Sequence, residues 1–396
     1  MIPYGKQHIS QEDIEAVVGA LQSDFLTQGP KIREFEEAFA HYIGSTYAVA
    51  VANGTAALHL CALALNVQEG DRVITTPITF AASANCIKYC GGEIVFADIV
   101  PGTYTLDIHA VRKLLENAPK GYYRGIIPVD FSGYPVNLEA FRELADQHNL
   151  WIIEDACHAP GGYFMDSREE RQQCGNGKFA ELAIFSFHPV KHIAAGEGGM
   201  ITTNDPELYQ RLLTLRTHGI TRDASTFQND KNLAFASHQY SSDQYPGWYM
   251  EMQELGYNYR LTDFQAALGL SQLKRAEEGV KRRIEIARRY DEAFAALGIV
   301  KQKRDDNHQN AFHLYVVEIE DRYKLYEYLR DRNIYTQVHY IPLHLMPYYQ
   351  QFGWKQGDFP VAESYYQRCL SLPMYPTLKK EEQDYVIQCI KEFLGE

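Results

Sequence analysis

A lysine, two carboxylates and a glycine-bearing turn carry the chemistry that this chain offers. Phe185-Ser186-Phe187-His188-Pro189-Val190-Lys191 is an apolar run ending in a lysine, and Gly196-Glu197-Gly198-Gly199 follows it. A lysine set among apolar residues loses solvation, so its pKa falls and its amine can form a Schiff base. Trp151-Ile152-Ile153-Glu154-Asp155-Ala156-Cys157-His158 reads as an apolar strand that ends in two carboxylates. Ligands of open α/β sheets bind at the carboxyl ends of strands, and there Asp155 can hold a proton on a heterocyclic nitrogen. Asn53-Gly54-Thr55-Ala56 joins a strand to a helix. Backbone N–H groups at such a helix start form an anion cup; Gly54 permits the tight turn and Thr55 adds a hydroxyl. Ser186, five residues before Lys191, can donate to the same anion. Gly256-Tyr257-Asn258-Tyr259-Arg260 is a fourth cluster, of hydrogen-bonding and stacking groups. Each feature alone has an ordinary structural reading: a strand-to-helix turn, a helix cap or metal ligand, a surface lysine, a capped helix start. Together, a phosphate cup, a ring-nitrogen carboxylate and an imine-forming lysine fit pyridoxal 5′-phosphate. A nucleotide on a glycine-rich loop fails on its own motif, since neither G-x-G-x-x-G nor G-x-x-x-x-G-K-[ST] occurs.

The elements that must hold these groups are legible in the periodicity. Ile32, Phe35, Phe39 and Ile43 share one face of a predicted helix over Lys31–Ile43. Short apolar strands are predicted at Tyr47–Val51, Arg72–Thr76, Glu93–Phe96, Gly125–Val129, Trp151–Ile153, Leu182–Phe187 and Gly199–Thr203. Helical segments such as Leu138–His148 separate them. This alternation predicts a mostly parallel sheet covered by helices on both faces. Residues 221–255, including Ser241-Ser242-Asp243-Gln244-Tyr245-Pro246-Gly247, read as a long polar and aromatic loop. Leu261–Tyr290 reads as one long helix with a weak point at Glu278-Gly279. A strand at His313–Glu318, a helix at Lys324–Arg332 and a strand at Thr336–Tyr340 suggest a smaller C-terminal α/β domain. The expected division is a large domain over 1–280 with an N-terminal substrate arm and a small domain over 281–396.

Composition narrows the class. Of 396 residues, 45% are hydrophobic and 22% charged, as in ordinary globular proteins. The 38 Lys and Arg against 51 Asp and Glu leave −13, which argues against nucleic acid or an anionic membrane as partner. The 28 Tyr outnumber 19 Phe and 3 Trp, and tyrosine pairs an apolar ring with a polar tip suited to ligand sites and interfaces. The N-terminus has no basic stretch followed by an apolar run, and the apolar stretch Tyr47–Leu65 is broken by Asn53, Gly54, Thr55 and His59. Seven scattered cysteines without C-x-x-C spacing fit a reducing cytoplasm, and no H-E-x-x-H occurs, so no metal is expected.

Leu26-Thr27-Gln28-Gly29-Pro30, Asn53-Gly54-Thr55, Thr76-Pro77-Ile78-Thr79-Phe80, Glu154-Asp155-Ala156, Ser186 with Lys191, Gly196–Gly199 and the stretch 256–265 occur in one order along the whole chain. In this the sequence resembles the DegT/DnrJ/EryC1/StrS nucleotide-sugar aminotransferases, pyridoxal phosphate enzymes of fold type I. Phe185–Lys191, Gly269-Leu270-Ser271-Gln272-Leu273, Val338-His339-Tyr340-Ile341-Pro342 and Ser371-Leu372-Pro373 are most similar to the branch that makes UDP-4-amino-4,6-dideoxy-N-acetyl-β-L-altrosamine for pseudaminic acid. The resemblance implies amino transfer from L-glutamate to C4 of UDP-2-acetamido-2,6-dideoxy-β-L-arabino-hex-4-ulose, with pyridoxamine phosphate between the two halves. It implies Lys191 as cofactor anchor and proton shuttle, and Asp155 on the ring nitrogen. Thr55, Ala56 and Ser186 would lie on the phosphate, Phe80 against the ring and His158 near the O3′ edge. Asn258 would reach the cofactor phosphate of a neighbouring subunit, making a homodimer with a shared site. Tyr4, Asp24, Phe25, Leu26, Thr27, His188, Gln337, Val338, His339 and Tyr340 would line the sugar site. A diphosphate in a chain of this charge calls for local cations, and Arg216, Arg222 and Arg260 are the candidates. His192-Ile193-Ala194-Ala195 departs from a pattern that often carries two threonines, and Tyr163–Ala180 is extended. Relatives that act as dehydratases carry His in place of the lysine, so Lys191 favours transamination. Two alternatives stay open: a 4- or 3-aminotransferase for another UDP- or dTDP-keto sugar, and a non-catalytic regulator on the same fold.

Overall fold

The computed structural model describes residues 1–235 and 244–395. Seven strands form the central sheet: β1 (Tyr47–Val51), β2 (Arg72–Thr75), β3 (Glu93–Phe96), β4 (Gly125–Ile127), β5 (Trp151–Asp155), β6 (Leu182–Ser186) and β7 (Gly199–Thr203), in the order β1-β7-β6-β5-β4-β2-β3. The run from β6 to β3 is parallel, and β7 lies antiparallel to both β6 and β1. Strands buried on both faces read as continuous apolar runs, which is why the sequence places all seven. β5 extends past the apolar run to Asp155, because Glu154 and Asp155 pair in register with Ala183 and Ile184 of β6.

Helices pack on both faces. Helix Gly54–Ala64 lies against one, with Leu58, Cys61, Val73, Ile127 and Ile153 in its core. Helix Pro30–Ile43 covers the other, where Phe35 and Phe39 meet Phe185 and Phe187. A further apolar core gathers Ile286, Tyr290, Tyr315, Leu325, Leu370 and Ile390 around the antiparallel strands Val300–Lys301, Tyr315–Glu318 and Cys369–Leu372, with Ile2 of the N-terminal arm joining it. No helix among the described residues is long and apolar enough to cross a membrane.

Three expectations are corrected. The long helix is two, Asp263–Leu273 and Ala276–Ala293, and the break falls at Lys274-Arg275, not at Glu278-Gly279. The bend lets Arg275 Nη1 donate to Asp13 Oδ1 at 3.0 Å while Gln272 Nε2 donates to Asp13 Oδ2 at 2.7 Å, tying helix Gln11–Leu21 to this corner. Thr336–Tyr340 is not a strand: Ile334–Tyr335 pairs with Ile2–Pro3 of the arm, and beyond it only Gln337 bridges to Ser371. The 221–255 stretch, read as one long loop, carries structure of its own: Ile220–Thr221 pairs with Glu251–Met252, Lys231–Phe235 is a short helix, and the Glu251 carboxylate accepts the Gln228 and Asn229 N–H groups at 2.7 and 3.0 Å. Its Ser241-Ser242-Asp243 portion lies outside the described residues. The extension at 163–180 is a hairpin, Tyr163–Met165 with Arg171–Gln173.

Candidate active site at the carboxyl edge of the sheet

Strand register assembles the cup. Gly199, the first residue of β7, lies opposite Val51 on one side and Ser186 on the other. The turn after Val51 and the end of β6 therefore meet across one glycine. A Cβ on Gly199 would lie 2.6 Å from the Asn53 carbonyl carbon and oxygen, and one on Gly54 would lie 3.1 Å from Ser186 Cβ. Gly199 needs glycine for this close approach, and Gly54 leaves little room for more. Asn53 caps the helix, its Oδ1 accepting the Ala56 N–H at 2.8 Å. The Ala56 N–H is engaged by that cap, and the first-turn N–H groups of Gly54 and Thr55 are donors without an intrahelical acceptor. Ser186 Oγ accepts the His188 N–H at 3.4 Å, a bond that does not use the hydroxyl proton.

Asp155 ends β5 beside this cup and is buried. Its Oδ2 accepts from Ser83 Oγ at 2.6 Å, Ser83 pairs with Thr79 Oγ1 at 2.8 Å, and Oδ1 accepts the Cys157 N–H at 3.2 Å. Ser83 sits near the start of helix Ala82–Tyr89, just after the Thr76–Phe80 loop. Sequence reasoning missed it; a serine in the first turn of the helix that follows the Thr76–Phe80 loop was the available signal. Phe80, in that loop, is 63% exposed, a large ring left uncovered beside the site.

Lys191 follows β6, and burial lowers its pKa against the opposing pull of the Cys157 and Asp155 side chains. Its Nζ lies 3.4 Å from His313 Nε2. His158 is buried, with Nδ1 accepting the Ser132 N–H at 3.2 Å, so its proton sits on Nε2, 3.3 Å from the Tyr340 hydroxyl. Burial, reinforced by the Lys191 charge, pushes His158 well below the usual imidazole range and keeps it neutral.

The expected sugar-site residues divide. Tyr4 and Tyr340 flank the site: Tyr4 stands 5.2 Å from the His339 ring, and Tyr340 contacts His158. His188 and Asp24 through Thr27 are exposed, and this last segment is pinned to the start of helix Asp263–Leu273 by the Leu26 carbonyl, which accepts the Asp263 N–H at 3.0 Å, and by the Gly29 N–H, which donates to Asp263 Oδ2 at 2.8 Å. His339 turns inward instead, buried with Nδ1 2.8 Å from Ser371 Oγ, and Val338 packs on the apolar core. Arg216 is corrected as a diphosphate candidate, because Nη1 is spent on Glu36 Oε1 at 2.6 Å and the Ala50 carbonyl at 2.7 Å. Arg222 is exposed, with its guanidinium 3.9 Å from Met250 Sδ. Arg260 keeps a buried Nε with no acceptor. Asn258 is exposed in the segment that bridges to Thr217.

Behind Asp155 lies a buried pair that the sequence did not reveal. Asp130 Oδ1 accepts the Val136 N–H and Glu154 Oε2 the Gly175 N–H, but Asp130 Oδ2 and Glu154 Oε1 have no partner. Donor atoms of Asp130, Glu154 and Cys174 lie within 4.8 Å of one another. Burial pushes both carboxyls up, Asp130 to about 7, and one shared proton relieves the like charges. A folded pKa above the unfolded value means stability is fully present at low pH and is lost as pH rises toward the folded pKa. Urea unfolding between about pH 5 and pH 8 is therefore expected to lose roughly 1–3 kcal/mol more in the wild type than in Glu154→Gln. Parallel curves for the two proteins would refute the shared proton.

These residues fit pyridoxal phosphate. The glycine-lined cup and the Ser186 hydroxyl suit a phosphate, Asp155 is a buried carboxylate in no salt bridge among the described residues, Phe80 offers an open ring face, and the Lys191 amine is made nucleophilic by burial. The comparisons agree. Residues 7–391 match the model of the DegT/DnrJ/EryC1/StrS aminotransferase family. The spore coat polysaccharide biosynthesis protein SpsC of Bacillus subtilis is 39% identical over 99% of this chain and 97% of its own. The UDP-4-amino-4,6-dideoxy-N-acetyl-beta-L-altrosamine transaminase of Campylobacter jejuni is 34% identical over 98% of this chain and 96% of its own. A Streptococcus pneumoniae protein described as a sugar aminotransferase is solved in PMP and PLP forms; the PMP form superposes with a TM-score of 0.88 at 28% identity, covering 100% of this chain and 99% of that one.

Proposed function

We propose that this chain, which belongs to the DegT/DnrJ/EryC1/StrS aminotransferase family, uses L-glutamate to aminate C4 of UDP-2-acetamido-2,6-dideoxy-β-L-arabino-hex-4-ulose. It is a pyridoxal phosphate-dependent sugar aminotransferase. The observation that carries the transamination reading is a burial-activated lysine set at the same sheet edge as a buried aspartate and a phosphate cup. Bound there, pyridoxal phosphate supplies an electron sink for the carbon that exchanges its amino group. In this reading Thr55, Ser186 and the helix N-terminus hold the phosphate, and Phe80 covers one ring face. Asp155 keeps a proton on the ring nitrogen, and Lys191 Nζ anchors the cofactor and then carries a proton to and from the reacting carbon. His158 holds Tyr340 toward the sugar side, with Tyr4 and the 24–27 segment nearby. Asn258, exposed on its own protomer, would complete the site of a second copy, so the working unit is a homodimer.

The identity to the Campylobacter transaminase supports the pseudaminic acid precursor as substrate. The higher identity to SpsC, named for spore coat polysaccharide biosynthesis, supports a second reading, a 4- or 3-aminotransferase for another UDP- or dTDP-keto sugar. Incubation with a panel of UDP- and dTDP-keto sugars plus glutamate, read by product NMR, decides between them. Amination of the L-arabino ketone supports the first reading, and turnover only with other sugars overturns it. The unmatched, buried Nε of Arg260 supports it as the cation for the diphosphate. Arg260→Glu is expected to weaken UDP-sugar binding by about tenfold or more, since a charge-assisted hydrogen bond becomes a repulsion, while pyridoxal phosphate is retained. Unchanged calorimetric affinity would refute that placement.

A further inference from the structure

His313 has no role in the account above, yet its Nε2 lies within hydrogen-bond distance of the Lys191 amine, 3.4 Å from Nζ. Its position is built. Arg283 Nη1 donates to the Phe312 and His313 carbonyls at 3.0 and 3.2 Å, and the Leu314 N–H donates to the Ser132 carbonyl at 3.2 Å. Phe312 sits at a φ of 51°, a left-handed conformation that a bulky residue adopts only where its surroundings impose it. The imidazole itself lies between two others, 4.3 Å from His158 and 5.8 Å from His192, centroid to centroid.

The second nitrogen of the ring decides the tautomer. His313 Nδ1 is buried with no hydrogen-bond partner. A proton there would be a stranded N–H, which loses its hydrogen bond to water without replacement. A bare lone pair is the orphan that interiors tolerate better. The proton therefore belongs on Nε2, pointing at Nζ, and an N–H can point at a lysine nitrogen only if that nitrogen is a free amine with its lone pair turned toward the ring. The other groups facing this pair sharpen the preference. His158, His192 and His339 are neutral and Arg283 is a buried cation, while the Asp155 and Cys157 side chains pull the other way and are outweighed by burial.

We propose that His313 is a positioning residue for Lys191, its Nε2–H holding the amine as an oriented free base in the cofactor-free protein. An ammonium would confront that N–H, so protonation of Lys191 is disfavoured and the amine stands ready to take up the cofactor's aldehyde. The inference rests on the transaminase reading only in taking Lys191 as the anchor; it is independent of which sugar is aminated.

The test uses the full chain stripped of cofactor. Reductive methylation by formaldehyde and cyanoborohydride, followed at the Lys191 peptide by mass spectrometry across pH, gives the midpoint at which the amine becomes reactive. In His313→Ala the midpoint is expected to move up by about one pH unit, tenfold less free amine at a given pH, and pyridoxal phosphate uptake at neutral pH is expected to slow by a similar factor. His313→Gln, which keeps an N–H donor, is expected to restore most of the shift, and it decides the matter alone if the alanine variant does not fold. Midpoints equal to wild type in the folded variants would overturn the proposal. Failure of the wild type to attach pyridoxal phosphate at Lys191 would instead overturn the transaminase reading.

Discussion

Replacing Lys191 by alanine is expected to lower amino transfer by at least about 10⁴-fold, with the fold intact. Lys191 lies just beyond β6 in a turn whose own N–H donates to the His188 carbonyl. That backbone bond survives the substitution. What is lost is the nitrogen. The adjoining base, His313, is a buried imidazole that burial holds neutral and that cannot form an imine. A general acid–base group accounts for about 10²–10⁴-fold by itself, and in the proposed reading the same nitrogen also anchors the cofactor, so the upper end or beyond is expected. The measurement is single-turnover conversion of the glutamate half-reaction, followed by cofactor absorbance and by 2-oxoglutarate released. Retention of a normal rate by Lys191→Ala would sink the assignment, and would revive a regulator on an aminotransferase fold.

The legible and illegible parts of this molecule differ in physical kind. Strands buried on both faces announce themselves as apolar runs, and a strand that opens into Asn53-Gly54-Thr55 carries its own helix cap, so the cup, Asp155 and Lys191 could be read locally. What could not be read depends on partners distant in the chain. Ser83 matters because it reaches Asp155 across 72 positions, and His313 because the loop before a late strand folds back on Lys191. The helix break at Lys274-Arg275 answers to Asp13, some 260 residues away. Arg216 read as a free cation and is in fact held by Glu36 and a carbonyl of β1. Charge in a sequence announces capacity; only the fold says whether it is already used.

The same distinction makes Asp155→Asn the sharper companion to the lysine variant. Asparagine is nearly isosteric, and its carbonyl oxygen can keep either the Cys157 N–H or the Ser83 hydroxyl that Asp155 now accepts. The amide nitrogen then meets the other donor, a loss of about 1–2 kcal/mol from one buried hydrogen bond, well within what a domain of this size withstands. The chemistry has no such reserve. A carboxylate favours a protonated ring nitrogen and an amide does not, and a shift of one pKa unit is worth 1.36 kcal/mol. Losing a buried, close charge is expected to lower that nitrogen's pKa by several units, so turnover should fall by about 10³-fold while pyridoxal phosphate still attaches to Lys191. The ratio of the two measurements is the diagnostic: borohydride-trapped cofactor at wild-type stoichiometry together with a collapsed glutamate half-reaction. Equal rates in Asp155→Asn and wild type would mean that the ring nitrogen works unprotonated, and Asp155 would revert to a cap for the Cys157 backbone.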